Sequence, residues 1–478
     1  MTNTATVIDT PARRLPALVL VGLLAGPFLT MVDSNIVNVA IPQIGSSLHA
    51  PLESVQWTVS AYLLAIGSAL AATAWLTRRL GDVTIYTASL AGFTVASAIC
   101  AFAPTIQALI AARALQGIAG AALVPVAMGM LLGGGENPNR RGIPASAGIV
   151  LFLGPALGPT LGGLLIAAFG WPSIFLVNVP FGVLGILGAR RIPASMAAPA
   201  DRTVRLDLLG VTLLAAGLAL ALYGAGQGPV HGWLSAGVAP YYVAGAVLLA
   251  LYAVHAFSTE SPAIDLRLLT NAPAASSFAL CLVVSVVTFG VLFLVPVFMQ
   301  TVQGHTALVA GLTLLPQGIV MGLGTVAGMK VVERGYVRWS CIGGSILLVA
   351  TTAALLLLDR ATPAWETAAI LSARGLALGL IIQPLLQALM GRLPRAELPD
   401  ANTLFNVIQR VGGSFGIALL GTFFQHRETV RVQAVLPRRD LVGQALVSGF
   451  HDTLWVLVAL AGLAFLLSLA LRGTSRLE

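Results

Sequence analysis

The chain has 478 residues, of which 57% are hydrophobic and 9% charged, with a mean hydropathy of +0.91 and a formal net charge of +8. So few charges cannot cover the surface of a soluble protein of this length, which excludes a soluble enzyme or nucleic-acid-binding domain and leaves an all-α polytopic membrane protein. The positive balance sits mainly in arginines between apolar runs, and Lys330 is the only lysine.

The polar start, Thr2–Leu15, carries Arg13-Arg14. A cleaved leader is compatible with it, but the apolar run continues to Ile41 without a cleavage site, so a retained first helix is expected. Hydropathy windows place helices near 16–41, 55–76, 85–103, 105–132, 144–168 and 173–189, then 207–226 and 236–257. A last set follows near 275–299, 307–329, 339–358, 367–390, 402–424 and 449–471. With a cytoplasmic N-terminus, eighteen basic residues fall on inner segments. These include Arg78, Arg79, Arg140, Arg141, Arg190, Arg191, Lys330 and Arg334. The outer loops hold only Arg360, Arg427, Arg431, Arg438 and Arg439. That asymmetry obeys the positive-inside rule and supports fourteen crossings, with both termini cytoplasmic.

The first helix carries Asp33, with Thr30, Ser34 and Val37 on the same face. Asp33 lies roughly 25 Å along the helix from Pro16 at 1.5 Å per residue. A carboxylate at that depth is expensive and faces the bundle interior or water. It is either a proton-coupling group or a hydrogen-bonding group that holds helices together. In the fourth helix, Arg113, Gln116, Gly117 and Gly120 share a face. Arg113 needs a partner and Asp33 is the acid clearly within a span, so the pair is either a switch or a static brace. The fifth helix carries Gly154, Pro155, Gly158, Pro159, Gly162 and Gly163, a run that permits close approach and bending.

The segment 190–206 is rich in Pro, Ala and Ser and reads as a linker. A faint repeat relates Leu109–Gly117 to Ile370–Gly379, each in the fourth helix of a six-helix set once helices 7 and 8 are set aside. Three parts follow: 1–194, 195–262 with the inserted helices, and 263–478. Phe289, Phe293, Gln300 and Gln317, with Thr30 and Gln116, are candidates for a substrate cavity, a plain core role being open for each. Arg374 and Arg410 are intramembrane arginines without an evident acid. Asp207, Glu366 and Asp452 lie at helix starts, where the helix dipole favours an acid. Cys100, Cys281, Cys341 and six scattered histidines lack metal spacing, and no catalytic pattern occurs. No metal or cofactor is expected.

Together these residues resemble the fourteen-helix drug:proton antiporter group of the major facilitator superfamily. The resemblance rests on Val32-Asp33-Ser34 through Asn38 and Pro42, on Arg113-Ala-Leu-Gln116-Gly117, on the Gly154–Gly163 run and on Gly170-Trp171 through Asn178-Val-Pro180. It implies two six-helix bundles plus two extra helices that export substrate against protons in a bacterial cytoplasmic membrane. Protons are the coupling ion, exchanged through Asp33 and Arg113, and the Gly-Pro run is a conformational hinge. The loop between helices 2 and 3 departs from the family pattern. Arg78 stands where an acid is expected before Arg79, Gly81 and Asp82, so the latch that this loop forms in relatives is altered. The tenth helix has no acid, which implies one proton per cycle and lipophilic neutral or monocationic substrates. The alternative is a dedicated exporter of one metabolite or lipid. The expected partners are small lipophilic compounds and the bilayer, not nucleic acid, with the protein a monomer.

Overall fold

A computed structural model describes residues 16–133, 145–193, 196, 207–232, 234–259, 262–391, 393–394, 397–435 and 441–471. The segment 1–15 and most of the 190–206 linker fall outside these, as do the side chains of 145–156. All regular structure among the described residues is helical. In chain order the helices are α1 (Ala17–Ile36, prolonged by a 3-10 turn over Val37–Val39), α2 (Ile41–Ser47), α3 (Leu52–Val55), α4 (Trp57–Leu80), α5 (Asp82–Ala101), α6 (Ile106–Gly120), α7 (Leu123–Gly133) and α8 (Ala145–Phe169). Then come α9 (Ser173–Leu176), α10 (Asn178–Ala189), α11 (Leu208–His231), α12 (Ala239–Ser258), α13 (Ala272–Thr301), α14 (Ala307–Glu333), α15 (Val337–Ala354), α16 (Ala364–Met390), α17 (Leu398–Val435) and α18 (Val442–Ala470).

Twelve helices among the described residues are apolar and long enough to cross a bilayer. Two shorter apolar helices, Leu157–Phe169 and Ser173–Ala189, stand at the fifth and sixth expected positions. Polar caps start several helices where the sequence turns apolar. Thr105 accepts the Ala108 amide, Thr306 the Val309 amide and Asp207 the Gly210 amide, each satisfying a donor that the first turn leaves free.

One boundary differs from expectation. The outer loop expected between 424 and 449 is largely helix: α17 runs on to Val435 and α18 begins at Val442. Arg427 and Arg431 therefore lie on α17, and both clamp Asp452 of α18 at 2.6–3.1 Å. Asp452 is ten residues inside its helix and is an ion-pair partner rather than a cap. Hydropathy drops where a helix leaves the apolar slab, but Gln, Arg and Glu are good helix formers, so the helix continues.

Helices α1 and α4–α10 pack on one another, and α13–α18 form a second set. The sets meet along α4 with α17 and α8 with α14. Near the start of α4 the meeting is tight. Ser414 donates its hydroxyl to the Ser60 carbonyl at 2.8 Å, Gln56 donates to Thr422 Oγ1 at 2.6 Å, and Gln425 accepts the Glu53 amide at 2.8 Å. At the same end Gln300 donates to the Val39 carbonyl at 3.0 Å and Thr160 to the Gly311 carbonyl at 3.2 Å. Gly163 permits this closeness, since a Cβ there would stand 2.6 Å from the Ala307 carbonyl oxygen. Toward the other end the sets part around a cavity of about 140 Å³, lined by Leu70, Thr73, Thr77, Asp82, Gly129 and Thr403 among others.

The inserted helices are placed across this seam. α11 packs on α12 and rests against both α4 and α17, one helix from each set. Trp57 of α4 meets Tyr223 of α11 with ring centroids 6.1 Å apart, and Tyr223 meets Tyr241 of α12 at 4.8 Å. Only 17% of the apolar window of α12 is buried, so that helix offers its sides to lipid.

Candidate functional site

The site begins at Pro27, inside α1. Pro27 has no N–H, which leaves the Leu23 carbonyl without its intrahelical donor. The hydroxyl of Tyr86, from α5, fills the gap. It lies 2.7 and 2.9 Å from the carbonyls of Gly22 and Leu23 and accepts the Gly26 amide at 3.1 Å. A side chain inserted into the helix ladder is a recognised cause of kinking. Six residues further along the same helix is Asp33.

Asp33 is wholly buried, and three donors from two other helices converge on it. Arg113 of α6 places Nη1 2.5 Å from Oδ2. Gln116 of α6 and Asn178 of α10 donate to Oδ1 at 3.0 and 2.9 Å. Ser97 of α5 accepts from Gln116 at 2.6 Å and from Asn178 at 3.3 Å, tying the two amides together. Arg113 is also wholly buried. Its Nε donates to the Thr58 carbonyl of α4 at 2.9 Å, and Nη1 also donates to Gln116 Oε1 at 2.6 Å. The face of Tyr62 lies 3.9 Å from the guanidinium carbon, a cation–π contact that further compensates the charge. Gly117 allows α6 to approach α4 so closely, because a Cβ there would lie 2.6 Å from the Tyr62 carbonyl oxygen.

Chemically the cluster is a carboxylate met by three donors and paired with one guanidinium, closed off from water. A buried pair of this kind is stable while complete and costly to break, because removing one partner leaves a charge uncompensated. Protonation of Asp33 would remove the negative charge and release Arg113. That is the property a switch needs.

The predicted residues are distributed as follows. Asp33 and Arg113 do pair. Gln116, expected as a cavity candidate, belongs to the charge cluster instead. Thr30 is buried and bonds back to the Gly26 and Pro27 carbonyls at 3.0 and 3.1 Å. Phe293 is enclosed in the second helix set, Phe289 packs on Gly413 of α17, and Gln300 serves the closed end. Gln317 is buried with its Oε1 unpartnered. Gly158 and Gly162 face α1, Gly163 and Pro159 face α14, and Gly154 and Pro155 lie within α8, where the described residues give backbone alone. Pro42 opens α2. Gly81, at φ +85°, turns the chain from α4 into α5, Asp82 borders the cavity, and Arg79 lies over the Trp75 ring at 5.3 Å.

Ser97, Thr58, Tyr62 and Asn178 were not singled out as site residues by spacing. Asn178 had a signal, an amide inside an apolar run, but the other three carry none. Arg374 finds neutral acceptors, donating to Thr352 Oγ1 and the Val287 carbonyl, both at 2.8 Å. Arg410 reaches Ser34 Oγ at 3.5 Å across the seam. Outside the spans, Asp207 ties the inserted helices down by accepting from Gly210, His255 and the Ala263 amide. Burial alone would push its carboxyl up, but these bonds outweigh it and hold the carboxyl below the usual range.

The sequence pattern of the Major Facilitator Superfamily matches residues 23–417. The chain is 32% identical over 413 residues to the multidrug resistance protein B homolog of Mycobacterium tuberculosis (strain H37Rv), covering 84% of this chain and 75% of that one. It is 29% identical to the methylenomycin A resistance protein of Bacillus subtilis (strain 168), covering 84% and 86%. Its fold is similar to a bacterial homolog of the human lysosomal transporter Spinster in an inward-facing, unoccupied conformation. That match has a TM-score of 0.65 and 15% identity, and covers 96% and 98% of the two chains.

Proposed function

The chain belongs to the Major Facilitator Superfamily and is a multi-pass membrane transporter rather than an enzyme; on that premise we propose that it exports lipophilic small molecules in exchange for protons. The observation that supports this reading is the enclosed Asp33–Arg113 pair, whose charge balance a proton reaching Asp33 would change. In this reading the closed pair belongs to one state of the cycle. Protonation of Asp33 frees Arg113 and lets the two helix sets tilt, so that the seam at the start of α4 opens as the opposite cavity closes. The two short apolar helices at the fifth and sixth positions complete fourteen crossings. The arginine-rich ends then lie in the cytoplasm of a bacterial cell, both termini with them, and the cavity opens inward. One proton moving down 100 mV supplies about 2.3 kcal/mol, and a pH gradient adds to it.

Relatives named for multidrug resistance and for resistance to one antibiotic both occur at about the same identity, which keeps a dedicated exporter of a single compound as the second reading. A substrate panel separates them. Coupling is tested in proteoliposomes, where an imposed pH gradient should drive export by the wild type and fail to do so in Asp33→Asn. Undiminished gradient-driven export by that variant would remove Asp33 from the mechanism.

A further inference from the structure

Charge inside the spans is unevenly disposed. Asp33 and Arg113 cancel each other and are sealed. Arg374 is sealed within the second helix set on neutral acceptors. Asp452 is held by Arg427 and Arg431 at the closed end. Arg410 differs from all of these. It lies ten residues after Asp400, about 15 Å along α17, and is half-buried on the side that faces α1 and α4. Among the described residues it makes a long contact to Ser34 Oγ at 3.5 Å, and no carboxylate lies within 4.0 Å of it.

A guanidinium offers five donors in a planar fork that matches an oxyanion, and here most of that capacity is unspent. The polar surroundings are similarly underused. Asn38 follows Ser34 by one turn on α1, is wholly buried, and has neither amide atom partnered. A buried side-chain amide with neither atom bonded is rare in folded proteins and calls for an explanation.

We propose that the substrate is a lipophilic organic anion, with Arg410 the residue that selects it. Resting on the export reading above, the anionic group docks on the Arg410 fork, while the unpartnered Asn38 amide donates to it and the apolar body lies along the seam. The expectation of neutral or monocationic cargo rests on the absence of an acid from the tenth helix and leaves Arg410 out of account. With Arg113 holding that carboxylate, the charge left facing the seam is positive. A monoanion leaving as one proton enters moves two charges, so its export depends on membrane potential twice as steeply as that of a neutral compound. A monocation exchanged for a proton would move none.

The test uses full-length protein in proteoliposomes under an imposed pH gradient, with three naphthalenes bearing a sulfonate, a sulfonamide or a trimethylammonium group. Their charges do not change with pH over the working range, so leakage by protonation does not intrude. Wild type should export the sulfonate about tenfold or more faster than the other two, the worth of one charge-assisted hydrogen bond. Arg410→Gln should raise KM for the sulfonate by a similar factor and erase its preference over the sulfonamide, while Arg410→Lys retains part of the preference. Asn38→Leu should weaken sulfonate export independently, which covers the case in which Arg410→Gln fails to fold. Faster export of the ammonium or sulfonamide compound, or a sulfonate preference that survives Arg410→Gln, overturns the proposal while leaving export intact. Movement of none of the three under the gradient overturns the export reading and this one with it.

Discussion

The Asp33–Arg113 pair makes a quantitative demand on stability. In Asp33→Asn the side-chain shape survives and its oxygen can still accept from Gln116 or Asn178, but an NH₂ now confronts Arg113 Nη1. The buried guanidinium keeps the Thr58 carbonyl, Gln116 Oε1 and the Tyr62 ring, all neutral. Breaking such a pair from one side costs about 3–5 kcal/mol. Arg113→Met, which fills similar length without charge, strands the carboxylate and should cost about the same. The double variant removes both charges, so its loss should be smaller than that of either single change. The coupling between the two sites should therefore be at least about 3 kcal/mol, far above the few tenths found for independent positions. Equilibrium unfolding of all four proteins in mixed micelles measures this cycle. Additive penalties would falsify the view that each charge is there for the other.

Other consequences can be checked singly. Asn178→Ala deletes one hydrogen bond to a carboxylate and should cost about 1.5–3 kcal/mol in the same unfolding assay; an unchanged midpoint would detach α10 from the cluster. Ser60→Cys with Ser414→Cys joins α4 to α17 where each serine hydroxyl already reaches the other's carbonyl, so oxidation should arrest transport and a reductant restore it. Continued transport by the cross-linked protein would mean that this seam does not open. Gly163→Leu should abolish export with helix content intact, by pushing a side chain into the Ala307 carbonyl; normal export would show that α8 and α14 need not meet. Asp207 has a folded value below its unfolded one, so its stabilisation is complete above about pH 4 and is lost as pH falls through the lowered value. Unfolding curves of wild type and Asp207→Asn should therefore differ at neutral pH and converge in acid, and curves that stay parallel would dismiss the anchor.

Much of the architecture could be read from hydropathy because a helix in lipid must satisfy its own backbone, so apolar length translates directly into spans. The Asp33–Arg113 partnership was legible for a related reason: two opposite charges in apolar helices have few other places to go. Gln116 misled because periodicity places a residue on a face without saying which neighbour that face meets. Ser97 and Thr58 left no trace, since one is a common small residue in a membrane helix and the other contributes only its carbonyl. The helical ends of α17 and α18 were hidden because hydropathy reports the slab, not the helix. Arg410 is an unpaired charge in the sequence, but only the packing of α17 against α4 places it opposite Ser34 of α1.

The Tyr86 hydroxyl lodged beside Pro27 also bears on movement. It fastens α5 to α1 beside Pro27, while further along the same pair of helices Ser97 holds the two amides that grip Asp33. Two fastenings on one pair of rods leave little freedom to twist independently. A proton arriving at the upper fastening therefore acts on both helices together, and what moves when the charge disappears is a braced girder rather than a single bending strand.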